Sequence, residues 1–519
     1  MKRPKNTTLQ LLLLAAALFY IAFILRTSFR IAGITYFTLV DDAMVSMRYA
    51  QHLAQGFGMV WNVGEKPVEG FTNPGWMFFM AFLHLFPIHP SKISLIVMIA
   101  SAVILLVNAF AAHRIAEVLQ PESKYAPLLA AAVTAFYFPL VFWSLRGMEV
   151  GILTLLINWG VLVALHISGE ERPRSSILLG LIFAMALLIR LDSIIQISVI
   201  VAYLLWVGKF SPSGIRWPLL MIILAAVAIL VFQRAYFGDF LPNTYYQKMG
   251  GTLAWERIRN GLLVFYQHAT RDTLVLAVFS LAGIVLYNDF RRPGTLLLAG
   301  LFMAHCAYSI WVGGDYAEVE VNAANRFITQ GMPTLIILFS LVIDKLLSSP
   351  SVLSRLTQMR GPILQSALAV ALALVTLAII SGQPWLRWAS DNAPLLQADI
   401  RRTRLGLFIA RNTSPQATIA VHAAGQIPYY SERKTIDLLG LNDPVVAKGP
   451  VTGPFYPGHD KWNYEYSIAQ LKPDLIADNW IKLADFMQNQ SEYRHLDNGI
   501  YIRKDSTLLN VDGLSQEYR

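Results

Sequence analysis

Apolar residues gather into long runs separated by short polar stretches. The first extends from Leu9 to Leu25, behind a basic start that carries Lys2, Arg3 and Lys5. A signal peptide has this charge pattern too, but no small-x-small cleavage site follows. The run is therefore expected to remain as a first helix with the basic residues in the cytoplasm. Further runs lie at 93–112, 126–142, 150–167, 177–190, 193–207, 218–236, 273–287, 295–312, 333–347 and 363–380. Together they predict about eleven transmembrane helices, the shorter ones needing protein or interface cover at their ends. The run Gly75–Phe86 is too short to span and suits a helix lying at the outer interface. An odd number of spans puts the C-terminus outside. Loop charges agree: Arg114 and Lys124, Arg172 and Arg174, Lys209 and Arg216, Arg291 and Arg292, and Lys345, Arg355 and Arg360 all fall in loops expected to be cytoplasmic.

From 381 to 519 polar residues, proline, glycine and short alternating stretches replace the long runs. ATIAVHAAGQIPYY and TIDLLGL read as β–turn–α pieces. The expected architecture is a polytopic α-helical membrane domain over 1–380, with a first periplasmic loop at 26–92, and a C-terminal periplasmic α/β domain over 381–519. Composition agrees. Of the 519 residues 55% are hydrophobic and 14% charged, with a mean hydropathy of +0.48. Soluble proteins carry about 25% charged residues, so several ordinary soluble domains are excluded, and disorder with them. One cysteine, Cys306, excludes an intramolecular disulfide and a CxxC zinc site. The net charge of +9 sits between the apolar runs and reads as topology, not as nucleic-acid binding.

The outer loops are then 26–92, 143–149, 190–192, 237–272, 313–332 and the C-terminal domain. They hold most of the polar side chains a reaction needs, so an active site facing the periplasm or cell exterior is expected. Asp41 and Asp42 follow an apolar, strand-like run and open a helix. Acids at a helix start serve as caps and dipole partners. Paired carboxylates beside a membrane also serve as base, nucleophile or electrostatic stabiliser. Downstream, Trp61, Asn62, Glu69, Asn73 and Trp76 mix aromatics with amides and acids. A sugar-facing surface has that mixture, and so does an interfacial aromatic belt.

The stretch DDAMVSMRYAQHLAQGFGMVWNVGEKPVEGFTNPGW, from Asp41 to Trp76, resembles the first periplasmic loop of GT-C integral-membrane glycosyltransferases. It is most similar to the bacterial arabinofuranosyltransferase subgroup, of the mycobacterial terminal arabinofuranosyltransferase type. RGMEVG at 146–151, IRLDS at 189–193, FGDFLPNTYYQK at 237–248, VGGDY at 312–316 and NRFITQGMP at 325–333 follow in the order of that family. AAGQIPYY, TIDLLGLND and PGHDKW carry the likeness into the outer domain. The resemblance implies a polyprenyl-phosphate sugar as donor, with arabinofuranose as the sugar, and a glycan or glycoprotein acceptor at the periplasmic face of a bacterial inner membrane. The spacing from Asp41 to Gly56 matches that of the catalytic aspartate and glycine in related aminoarabinose transferases. Asp41 is therefore the expected catalytic residue and Asp42 the second.

A phosphate leaving group needs no strong acid but does need cations. Lys248 and Arg326, in outer loops, are the expected donor-phosphate ligands. Arg190 is the third, although a charge pair with Asp192 at a helix break also suits a structural salt bridge. Glu69, Asn73, Glu149, Asn243, Tyr245, Asp315 and His459 complete the candidate sugar or acceptor contacts. Four of these have a plainer reading: Glu149 as a helix cap, Asn73 as a turn residue before Pro74, Tyr245, with Tyr246, as an interface anchor, and His459 as a surface-loop histidine.

There is no P-loop, no GxGxxG after a strand and no HExxH. His84 and His89 are spaced i, i+5 across Pro87, which does not place both on one helix face, so no metal site is assigned. No cofactor is firmly implied; a divalent cation is left open. The same scaffold transferring aminoarabinose or mannose to lipid A or protein is the nearest alternative. A secondary transporter is the alternative of another class, though no second copy of the acidic loop is seen. A sensor would leave the Asp-Asp loop unexplained and lacks a cytoplasmic signalling domain.

Overall fold

The computed structural model describes residues 7–123, 125–167, 173–208, 212–268, 273–315, 325–348 and 362–517. Lys2, Arg3, Lys5, Lys124, Arg172, Lys209, Arg355 and Arg360, which carried part of the topology argument, lie outside the described residues.

All eleven apolar runs are helical. α1 is Thr7–Arg26, and the hairpin β1 (Phe29–Ile31) and β2 (Ile34–Tyr36) leads to α2 (Asp41–Ala54) and α3 (Pro74–His84). Then follow α4 (Pro90–Leu119), α5 (Ala126–Phe136), α6 (Phe138–Leu145), α7 (Val150–Ile167), α8 (Pro173–Ile189), α9 (Ile194–Trp206) and α10 (Pro212–Tyr236). The membrane part continues with α11 (Asn243–Met249), α12 (Ala254–His268), α13 (Leu274–Leu286), α14 (Pro293–Val312) and helices at Arg326–Thr329, Met332–Leu347 and Pro362–Asp391.

Among the described residues six helices are long and apolar enough to cross a membrane, and α5 with α6, bent by 49°, makes a seventh if the pair is one span. The other four expected spans are helices of 17, 13, 13 and 16 residues. The expected eleven thus resolve into six or seven full-length helices and four short ones. Local chemistry accounts for the breaks. Pro139 in the first turn of α6 cannot continue α5, and Tyr137 between them is extended. Arg190, extended between α8 and the short turn Leu191–Ser193, is held by carboxylates there, so the apolar sequence is cut in two.

α3 buries Trp76, Met77 and Met80 and exposes Phe78 and Phe82, the two-faced pattern of an interfacial helix. Helix Pro362–Asp391 continues past residue 380 because Trp385 and Trp388 pack on Phe19 of α1, with ring centroids 4.8 and 5.5 Å away. At one end of the bundle, Asp344 accepts from the Gln120 amide (3.1 Å) and the Tyr125 N–H (3.2 Å), and Lys345 pairs with Asp289 (2.9 Å). Three of the loops expected to be cytoplasmic therefore share an end.

The C-terminal part is α/β. Helix Leu396–Asn412 precedes a five-stranded sheet of β3 (Thr418–Val421), β4 (Lys434–Asp437), β5 (Leu475–Ile476), β6 (Tyr493–His495) and β7 (Tyr501–Arg503). The strand order is β4-β3-β5-β7-β6; β3 lies parallel to β4 and β5, and β7 antiparallel to β5 and β6. Side chains alternate across it: Ile419 and Val421 join one apolar cluster with Leu405 and Ile409, and Ala420 joins another with Trp462 and Ile468. The main core is continuous between the two parts, since Ala424, Tyr429 and Tyr430 belong to the same cluster as the bundle helices. Polar contacts reinforce the seam. Arg48 donates to the Pro428 and Arg433 carbonyls, Asn62 exchanges two hydrogen bonds with Thr435, and buried Arg146 pairs with buried Asp399.

Candidate active site

The site is built at the seam. The extended Thr38–Val40 segment is held where the Val40 N–H donates to the Arg146 carbonyl (3.0 Å) and Arg146 Nη1 donates to the Thr38 carbonyl (2.9 Å). α2 starts directly afterwards. Its N-cap is Val40, with no side-chain cap, so neither aspartate caps its own helix in the way the plainer reading required. Asp41 instead accepts from the C-terminal part: the Gly425 N–H lies 3.1 Å from each carboxylate oxygen and the Gln426 N–H 3.1 Å from Oδ1. Gly425 is obligatory for this approach, because a Cβ there would sit 2.1 Å from the Asp41 carbonyl oxygen. Burial pushes the Asp41 carboxyl up to about 6, against the lowering effect of Arg402 and the Gln426 amide.

Asp42 faces the other way. Its Oδ2 lies 2.8 Å from Arg326 Nη1, and 30% of its side chain is open to a cavity. Burial raises its pKa, but Arg326 and Lys248 outweigh burial and hold it below the usual carboxylate range. Arg326 starts its short helix behind Asn325, whose side chain accepts from the Phe327 and Ile328 N–H groups. Asp315 Oδ2 meets both Arg326 Nε (3.2 Å) and the Arg326 N–H (3.1 Å). Gly313 and Gly314, at φ of +93° and +86°, make the left-handed turn that brings Asp315 back to it.

The cavity, about 310 Å³, is lined by Asp41, Asp42, Arg326 and Lys248, and by Glu69, Asn73, Glu149, Arg190, Tyr245, Asp315 and His459 from the expected set. Lys248, on α11, has no hydrogen-bond partner among the described residues; burial and then Arg326 push its ammonium down to about 8. Arg190 is differently placed. Its three guanidinium nitrogens are engaged by Glu149 (2.7 Å), by Asp192 (2.6 Å) and by Thr72, and Asp192 also accepts from the Tyr308 hydroxyl (2.5 Å). That is the structural salt bridge. Glu149 and Asn73 belong to the same network, through Asn73 Nδ2 to Glu149 Oε2 (2.9 Å) and Ser46 Oγ to Asn73 Oδ1 (2.9 Å). Asn73 is the N-cap residue of α3 by position, but its side chain makes no cap bond there. Burial pushes Glu69 up to about 8, against one hydrogen bond from Gln233 (2.9 Å).

Asn243 is not among the cavity-lining residues. Its amide donates across the seam to the Gly440 and Leu441 carbonyls at 2.8 and 3.0 Å. Tyr245 is 45% exposed at the cavity rim, and Tyr246 donates to Asp239 (2.7 Å). His459 reaches the cavity from the C-terminal part, packed on Tyr456 and Trp480. Among the lining residues that sequence reasoning missed are His422, just after β3, and Asp437, the last residue of β4. The available signal was position, since a polar residue at the carboxyl end of a parallel strand is where ligands of open α/β sheets bind. No group of three or more metal-ligating side chains occurs among the described residues.

Residues 394–509 match a family described as a domain of unknown function (DUF8728). No curated protein matches the sequence. Solved structures match in fold. ArnT from Cupriavidus metallidurans bound to undecaprenyl phosphate aligns over 83% of this chain and 86% of its own, at 14% identity and a TM-score of 0.51. The Archaeoglobus fulgidus oligosaccharyltransferase tethered with an acceptor peptide aligns over 91% and 69%, at 11% identity and a TM-score of 0.54. The archaeal oligosaccharyltransferase AglB from Archaeoglobus fulgidus, in complex with an inhibitory peptide and a dolichol-phosphate, gives 90% and 69%, 11% and 0.53. The chain is a multi-pass helical protein with the GT-C fold and a C-terminal α/β domain.

Proposed function

We propose that this protein is a membrane glycosyltransferase. It moves a sugar from a polyprenyl-phosphate donor to a hydroxyl of a cell-envelope glycan or glycoprotein, at the periplasmic face of a bacterial inner membrane. The observation that carries this reading is one cavity in which two differently tuned carboxylates, Asp41 and Asp42, meet the cations Lys248 and Arg326. The sequence resemblance selects arabinofuranose as the sugar. Aminoarabinose or mannose on the same scaffold would use the same arrangement and is separated from it by the experiment below.

Lys248 and Arg326 bind the donor phosphate. The Lys248 ammonium lines the cavity with no hydrogen-bond partner among the described residues, and Asp42 and Asp315 orient the Arg326 guanidinium. Charge-assisted bonds to phosphate form there and strengthen as the leaving group gains charge. Arg190 holds Glu149 and Asp192 in place and is not assigned to the phosphate. Asp41 is the base: a carboxyl near 6 is mostly ionised at neutral pH yet still takes a proton. The acceptor oxygen bonds to the anomeric carbon, and the bond from that carbon to the phosphate oxygen breaks, its electron pair leaving with the phosphate. The acceptor proton passes to Asp41.

The test is a deletion strain of the native host. Membranes given a radiolabelled polyprenyl-phosphate arabinofuranose should label envelope glycan only when the gene is present. Sugar analysis of the envelope identifies the transferred sugar, and an unchanged envelope would refute the transferase reading.

A further inference from the structure

His422 has no part in the donor-phosphate assignment or in the polar contacts that dock the two parts, yet it lines the same cavity. It directly follows β3, and Asp478 lies just beyond the neighbouring parallel strand β5. Their side chains meet, His422 Nδ1 to Asp478 Oδ2, at 2.9 Å. The Asp478 carboxylate also accepts from the His422 N–H (2.8 Å) and the Ala423 N–H (3.2 Å). The imidazole stacks on Trp480, centroid to centroid 5.1 Å at 28°. Ring position, ring plane and the Nδ1 partner are all set, leaving Nε2 as the nitrogen for a ligand. A histidine so held by a carboxylate is oriented for one task.

The loop after β3 links this pair to the base. Its first two N–H groups, of His422 and Ala423, go to Asp478; those of Gly425 and Gln426 go to Asp41. One short loop therefore fixes both His422 and Asp41. The charges acting on the two aspartates divide accordingly. Arg326, Lys248 and His459 act on Asp42, Arg402 on Asp41, and Asp41 in turn acts on His422. The Asp42 side is the phosphate side, so the Asp41 side is left for the acceptor.

We propose that the carboxyl ends of β3 and β5 form the acceptor subsite, in which His422, held by Asp478, grips the carbohydrate hydroxyl whose proton Asp41 takes. The subsite rests on the transferase reading above. Its ligand is a sugar hydroxyl because the polar pair sits against an aromatic face, the Trp480 indole on which the His422 ring stacks at 5.1 Å. Such a mixed surface matches the polar edge and apolar face of a sugar ring. His422 touches substrate in this scheme; Asp478 is a positioning residue that acts through it.

The experiment uses the full-length protein and two variants, His422→Gln and Asp478→Asn. Native-host membranes report transfer of the labelled sugar, and the purified protein in detergent reports affinity for undecaprenyl phosphate. Both variants should lower transfer into glycan about tenfold to hundredfold, through a higher acceptor requirement, with undecaprenyl phosphate affinity within about twofold of wild type. The double variant should be no worse than His422→Gln alone, because the two act as a unit. Wild-type transfer by His422→Gln overturns the proposal. So does loss of undecaprenyl phosphate binding in Asp478→Asn, which keeps the side-chain size and an acceptor oxygen for one of the two backbone N–H groups, and so does label recovered on protein and not on glycan. A wild-type protein that neither binds undecaprenyl phosphate nor transfers sugar is a different result, and refutes the transferase reading itself.

Discussion

Asp41→Asn separates the proposed role as base from docking, because Asp41 also accepts the Gly425 and Gln426 N–H groups that join it to the C-terminal part. Its carboxyl is raised from 3.8 to about 6, chiefly by burial. About two pK units at about 1.4 kcal/mol each means that ionising it in the folded protein costs about 3 kcal/mol at neutral pH. Asparagine removes that cost. It keeps an oxygen at the Oδ1 position, where the Gly425 and Gln426 N–H groups both lie 3.1 Å away, but loses charge assistance and places an amide nitrogen opposite Gly425. Those losses are worth about 2 kcal/mol. The terms nearly cancel, so the melting temperature in detergent should move by only a few degrees. Transfer should fall about 10²- to 10⁴-fold, the range for a lost general base. The pH signs are separate. Wild-type transfer should fall as pH drops through about 6, as Asp41 takes its proton among Asp42, Asp399, Arg402 and His422. Because the folded pKa lies above the unfolded one, the stability Asp41 contributes is fully present below 3.8 and lost as pH rises through about 6. Substantial transfer by Asp41→Asn beside an inactive Asp42→Asn would move the base to Asp42. A product that keeps the donor's anomeric configuration would make Asp41 a nucleophile.

Three further outcomes are expected. Lys248→Ala should weaken undecaprenyl phosphate binding about tenfold or more in equilibrium binding, and wild-type binding should weaken as pH rises through about 8, where the ammonium is lost; unchanged affinity removes Lys248 from the phosphate site. Gly425→Ala forces a Cβ to 2.1 Å from the Asp41 carbonyl oxygen, so it should cost both melting temperature and transfer; normal values of each would show that the loop is free to move away. Glu69→Gln removes a carboxyl whose pKa burial raises from 4.5 to about 8, so wild type should lose about 3 kcal/mol of stability between pH 4.5 and 7 that the glutamine variant keeps; parallel melting curves would contradict this.

What the sequence made legible was local. Apolar runs dictate helices because lipid and core alike leave backbone groups only each other as partners, and every run is helical. Full spans were less legible, because Pro139 and Arg190 cut helices through backbone and ion-pair requirements that hydropathy does not weigh. Listing the polar loops at one end brought Asp41, Asp42, Lys248 and Arg326 into one set, and they share a cavity. Partner identity was not available. Asp41 is joined to Gly425, 384 residues away, through a backbone N–H that every non-proline residue possesses. Asn243 read as a sugar ligand for the same reason, since an amide has the same donors whether it meets a hydroxyl or, as here, the Gly440 and Leu441 carbonyls.

The geometry of α2 explains how two adjacent aspartates come to differ. Successive residues of a helix point about 100° apart. At the first turn of α2 that rotation turns Asp41 toward the C-terminal part and Asp42 toward Arg326 of the bundle. The first meets neutral amides and burial, and its pKa rises; the second meets cations, and its pKa falls. Identical side chains one position apart are thereby driven to opposite tasks, one able to take a proton and one kept charged to hold a cation. The contrast depends on the C-terminal part staying docked, because it is that part which covers Asp41 and supplies its amides. Removing it would return Asp41 to solvent and to an ordinary carboxylate pKa, leaving two similar acids beside Lys248 and Arg326. The α/β domain is thus a wall of the cavity, and the contacts of Arg48, Asn62 and Arg146 across the seam keep it in place beside Asp41.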